Sequence, residues 1–133
     1  MAGSLVTQER KERERIVDIT LIWRADDTDG SVPDTQIDWP IGGLLSSVTT
    51  NPGTPAPTAL YDITLEDKDG VDVMGGALSN RADAASEVAY PKEPAGAVNL
   101  NGVAVCGALT FKLTNNSVNS AVGTVRLTMI KLA

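Results

Sequence analysis

Short runs in which apolar and polar residues alternate, separated by turn residues, constrain this chain more than any other feature. Ile16-Val17-Asp18-Ile19-Thr20-Leu21-Ile22-Trp23 is rich in β-branched residues and ends at Asp26-Asp27-Thr28-Asp29-Gly30. Leu109-Thr110-Phe111-Lys112-Leu113-Thr114 alternates cleanly, and Thr124 to Leu132 places Val125, Leu127, Met129 and Lys131 on one face. A period of two sends successive side chains to opposite faces of a strand, so each run is a strand with one face for a core. Leu44 to Thr50 reads as a strand stopped by Asn51-Pro52-Gly53-Thr54-Pro55-Ala56-Pro57, whose three prolines exclude helix and central strand. Thr35 to Trp39 can be extended before Pro40.

Leu60 to Leu65, the turn Asp67-Lys68-Asp69-Gly70 and Val71 to Met74 read as a hairpin. Ala82 to Ala89 is compatible with a short helix or a long loop, and Pro91 and Pro94 close that region. Ala97 to Leu100, the turn Asn101-Gly102 and Val103 to Val105 form a second hairpin pattern. Six to eight short strands with turn signals every eight to twelve residues predict an all-β domain, an antiparallel β-sandwich or barrel. Its expected span is residues 16–133.

Residues 1–15 break the pattern. Gln8-Glu9-Arg10-Lys11-Glu12-Arg13-Glu14-Arg15 is densely charged and has no apolar stripe. Of the pairs four apart, Glu9/Arg13 is opposite in sign and Lys11/Arg15 alike, so support for a helix is partial. The expectation is a charged N-terminal arm, mobile or a frayed helix in the isolated protomer, that orders against a neighbour.

The 133 residues suit one domain. An aromatic share of only 4% means the core is built from many small aliphatic contributions, which favours help from self-association. The net charge is −6, and the one basic cluster is interleaved with Glu9, Glu12 and Glu14, which argues against nucleic-acid binding. No apolar run approaches the roughly 20 residues that span a bilayer, and nothing after Met1 resembles a secretory signal, so neither membrane nor secretion is expected. Cys106, the sole cysteine, lies in an apolar run and reads as a buried, inert thiol.

The chain contains no histidine, which removes the usual general base and the commonest transition-metal ligand. No phosphate-cradling glycine loop is present. A carboxylate pair of the glycosidase kind could come from the 17 acidic residues, but most fall in turns or on outward strand positions. No enzyme activity, cofactor or metal is expected. The acidic turns around Gly30 and Gly70 invite a calcium reading. Counting from Asp67, however, position twelve is Leu78 and not the bidentate Glu of an EF-hand, and Asp and Gly are good turn formers in their own right. Of the two tryptophans, Trp23 ends a core strand, whereas Trp39 sits in an irregular segment and is a candidate interface anchor.

The segment Tyr61 to Arg81 (YDITLEDKDGVDVMGGALSNR) resembles one in small structural proteins of tailed bacteriophages. There too it is followed by a Gly-Ala-Leu-Thr strand (Gly107 to Thr110), an Asn-rich turn (Asn115 to Ser120) and a terminal Gly-Thr-Val strand (Gly123 to Val125). The resemblance runs from about Ile16 to Leu132. It implies a virion component made in the bacterial cytoplasm, and within that class a capsid decoration (cement) protein, commonly a homotrimer that bridges capsomers of the major capsid protein. The contact residues expected are Arg10, Lys11, Arg13 and Arg15 toward an acidic shell, with Trp39 at a subunit interface. The charged arm departs from an apolar, strand-forming clamp and argues against docking by strand addition. Rival readings are a neck or tail component, or a fibre module that binds a receptor or carbohydrate.

Overall fold

The computed structural model describes residues 4–37, 43–93, 100, 102–105 and 107–131. Nine strands form among them: β1 (Leu5–Arg13), β2 (Ile16–Arg24), β3 (Thr35–Ile37), β4 (Gly43–Pro52), β5 (Asp62–Glu66), β6 (Glu87–Ala89), β7 (Val103–Val105), β8 (Leu109–Thr114) and β9 (Val122–Lys131). All pairings are antiparallel. The larger sheet runs β1-β2-β9-β4-β6, with β7 beside β6 on the far edge of β4, and the smaller runs β3-β8-β5. The chain is therefore all-β with a sandwich-like arrangement, and no helix among the described residues is long and apolar enough to cross a membrane.

Alternation decides which faces meet. Val17, Ile19, Leu21 and Trp23 of β2 are buried, as are their cross-strand partners Met129, Leu127 and Val125 on β9. From the smaller sheet Ile63, Leu65, Leu109, Phe111 and Leu113 join them in one core cluster. Between the sheets Trp23, 1% exposed, meets Tyr61, just before β5; the ring centroids lie 6.2 Å apart at 54°. Trp23 fits because its neighbour across the ladder is Gly123: a Cβ there would lie 2.7 Å from the indole Cζ2.

Three expectations are corrected. Residues Leu5–Arg13 are neither a mobile arm nor a frayed helix but pair with β2 along their whole length, from Leu5↔Arg24 to Arg13↔Ile16. Glu14 and Arg15 form the connecting turn, with Glu14 at a left-handed φ of 53°. The ladder supplied by β2 pairs the inward-facing half of the backbone groups of a segment whose side chains find almost nothing to pack on, so charge did not prevent an extended structure.

The hairpin expected at Val71 to Met74 stops after one bridge, Glu66↔Asp72. The Asp72 carboxylate accepts the N–H groups of Leu65 (3.1 Å), Met74 (3.1 Å) and Gly76 (2.9 Å), replacing strand pairing with consecutive turns. Those turns drop Met74 and Leu78 fully into the core. Finally, no helix forms over 82–89: Glu87–Ala89 pairs with β4, and the Glu87 carboxylate accepts the Ala82 N–H at 2.8 Å.

Two substitutions check this account. Gly123→Ala forces the indole of Trp23 to move and should cost roughly 1–3 kcal/mol, the usual range for overpacking. Asp72→Ala removes a charged acceptor from three N–H groups and should cost about 2 kcal/mol. Urea unfolding of each variant measures both losses; no change in midpoint would refute the packing or the bonding assigned.

Candidate interaction surface

The outward face of the larger sheet is built by the residues that alternate with the core set. Cross-strand partners share a face, so the registers place them in rows across the sheet. One row runs Arg13, Ile16, Ile130, Leu44 and Ala104 over β1, β2, β9, β4 and β7. Ile16 is 50% exposed and Ile130 37% exposed. These two, with Leu44 and Ala104, make an apolar strip at one end of the face.

The next rows are polar. Lys11, Asp18, Thr128 and Ser47 form one, fastened by Thr128 Oγ1 donating to Asp18 Oδ1 at 2.8 Å. Glu9, Thr20, Arg126, Thr49 and Val88 form another, in which Arg126 Nη2 reaches Thr49 Oγ1 at 3.5 Å. Across the β1–β2 end of all three rows runs a cleft of about 420 Å³ lined by Glu9, Lys11, Arg13, Ile16, Asp18, Thr20 and Arg126. Three cations face two carboxylates there, a positive spot on a chain of net charge −6.

The four basic residues singled out by the sequence do not form one patch. Lys11 and Arg13 face outward and line the cleft. Arg10 points to the other side, opposite Ile19, where its Nη2 pairs with Glu12 Oε1 at 2.7 Å. Lys131 Nζ also approaches that oxygen, at 3.5 Å. The Arg10 hydrogen bond and charge, then the Lys131 charge, hold the Glu12 carboxyl below its ordinary range. Arg15 sits in the β1–β2 turn, its carbonyl accepting the Lys131 N–H at 2.7 Å. Trp39 and Cys106 lie outside the described residues.

The acidic turns use their carboxylates on the backbone. Asp26 Oδ1 accepts the Thr28 N–H at 2.8 Å and the Thr28 hydroxyl, and Asp29 Oδ1 accepts Ser31 N–H at 2.9 Å. Asp67 Oδ1 accepts from Asp69 (2.9 Å) and Val71 (3.0 Å). These are Asx-turn bonds. Sequence reasoning missed the apolar strip, because Ile16 and Ile130 look like core residues until the ladder shows which face they occupy. The signal available was parity: Ile16 lies two residues from Asp18 and four from Thr20.

Comparison with protein-family models, with curated proteins and with solved structures gives no match.

Ile16 and Ile130 are surplus to the core. Replacing both by Thr should leave stability within about 0.5 kcal/mol of wild type, as for most surface positions, while lowering the fluorescence of a bound apolar dye. A large loss in urea midpoint would mean that the strip is structural.

Proposed function

We propose that this chain is a non-enzymatic structural protein of a tailed-bacteriophage virion, a capsid decoration protein that binds the major capsid protein and stabilises the head shell. It would be made in the bacterial cytoplasm and act on the capsid surface as a homo-oligomer, with three copies the number the resemblance implies. The observation that carries the reading is the outer face of the larger sheet. An apolar strip through Ile16 and Ile130, flanked on one side by the cations Lys11, Arg13 and Arg126, sets exposed apolar area beside charge, the combination that protein-binding surfaces use. A rigid sheet presents it without ordering cost, and repetition over a shell multiplies weak contacts through effective concentration.

The resemblance over Tyr61 to Arg81 supports the phage assignment, and Trp39 is kept as the proposed subunit anchor. A carbohydrate-binding fibre module would want an aromatic platform. Trp23, Tyr61 and Phe111 are spent in the core, leaving Tyr90 as the exposed aromatic among the described residues.

Co-sedimentation with expanded capsids of the phage that encodes the chain tests the reading. Ile16→Thr with Ile130→Thr should weaken binding by about tenfold or more, as loss of a central contact does. Lys11→Glu with Arg13→Glu should weaken it mainly at low salt, because screening already removes rim attraction at high salt. Wild-type protein that stays in the supernatant at every salt concentration would refute the proposal.

A further inference from the structure

The edge of the larger sheet carries a pattern that the face alone does not use. Among the described residues, β1 lies at the end of the strand order and pairs with β2 alone. Exposed edges invite pairing with another chain, and charged residues commonly block it through like-charge contact. Here the charges have a particular symmetry. Glu9-Arg10-Lys11-Glu12-Arg13 is complementary to its own reverse about Lys11.

We propose that β1 is a self-association edge, on which a second copy of this chain adds its own β1 antiparallel about a two-fold axis at Lys11, setting Arg10 opposite Glu12 and Glu9 opposite Arg13. The two-fold repeats each contact, so four pairs of opposite charge form against one like pair, Lys11 with Lys11. Directly opposed residues in antiparallel strands share a face, so Glu9–Arg13 pairs lie on the outer side and Arg10–Glu12 pairs on the inner.

Neighbouring registers are worse. Centred on Glu9, the register opposes Glu9 to itself and brings no opposite charges together. Centred on Arg10, it gains two Glu9–Lys11 pairs but opposes Arg10 to Arg10. Centred on Glu12, it opposes Lys11 to Arg13 twice. The sequence thus selects one register out of several, the role that charge patterns play when they set partner choice.

Geometry supports the backbone half. The β1–β2 turn has two residues between paired Arg13 and Ile16, so Arg13 and Ile16 exchange hydrogen bonds and the pattern alternates along the hairpin. Arg10 and Glu12 then turn their backbone groups toward the open edge. In the proposed register they face each other and can exchange main-chain bonds. Exposed ion pairs are individually weak, so the contact is a low-affinity one whose charges fix register while the backbone supplies the bonding.

A two-fold axis perpendicular to the sheet keeps faces together. The outer surfaces of the two copies become one continuous surface looking in the same direction, with both Ile16–Ile130 strips presented to the same side. This consequence rests on the functional reading above, whereas the pairing itself does not.

Sedimentation equilibrium of the full chain over a concentration series tests the pairing, without any capsid. Wild type should show its basic unit, monomer or trimer, in equilibrium with twice that mass, an equilibrium that weakens as salt rises. Glu12→Arg, which sets two guanidinium groups face to face across the edge, should weaken association by about tenfold or more, and Arg10→Glu should do the same by opposing two carboxylates. The double swap Arg10→Glu with Glu12→Arg should restore it to within about threefold, because every opposite pair is rebuilt. Thermal melts of all three variants monitor folding. A strictly monomeric wild type, an oligomer of three copies with no even multiples, or folded single variants that associate as wild type does would overturn the proposal. So would a folded double swap that fails to recover association. Capsid co-sedimentation is read separately, so loss of shell binding with intact pairing, or the reverse, identifies which idea failed.

Discussion

The contact between the inner face of β2 and β9 and the smaller sheet is the interaction on which the rest of the molecule depends. With an aromatic share of 4%, the chain has few large side chains to seal two sheets, and it uses three of them in that interior. Trp23 and Tyr61 meet across the gap, Gly123 leaves the space for the indole, and Phe111 fills the middle of β8. Small aliphatics supply the remaining burial in many modest portions. The parity of β2 and β9 follows from this packing. Once Val17, Ile19 and Leu21 point inward, Ile16, Asp18 and Thr20 must point outward.

That enforced parity creates the candidate surface. Ile16, Ile130 and Leu44 come from three separate strands and meet only because the registers of β2, β9 and β4 align them. The β4 register shifts between Leu45 and Ser47, and the shift keeps both Leu45 and Val48 in the core on either side of it. A rigid sheet holds the resulting strip in place without any ordering on contact. β1 extends the same sheet by one strand with little burial of its own, so the ribbon carries charge at the periphery while the core carries stability.

Much of the strand layout was legible because it depends on local alternation and turn chemistry. The β2, β8 and β9 runs and the body of β4 could be read directly, as could the turn at Asp67 to Gly70, but β4 continues through Asn51 and Pro52, paired with Thr124 and Gly123, where the prolines had argued against a central strand. The N-terminal segment could not. Its charges describe an unpacked surface, and a strand that is paired on one edge needs no apolar face to be extended. Val71 to Met74 misled for a different reason: it alternates, but Asp72 competes for the backbone with a carboxylate that caps three N–H groups, a tertiary choice no periodicity reveals. The basic residues were found by composition, yet their division between two faces of β1 followed from parity with β2.

By itself the amino-acid sequence determined the all-β class, the main strands and the turns between them, since each rests on residues adjacent in the chain. It also carried the self-complementary charges of Glu9 to Arg13, which are a property of order alone. Tertiary structure decided what is side by side: which isoleucines are core and which are surface, that Lys11 and Arg13 join Arg126, and that β1 is an edge. Those outcomes depend on long-range register, and register is set by the simultaneous packing of both sheets around Trp23 and Tyr61.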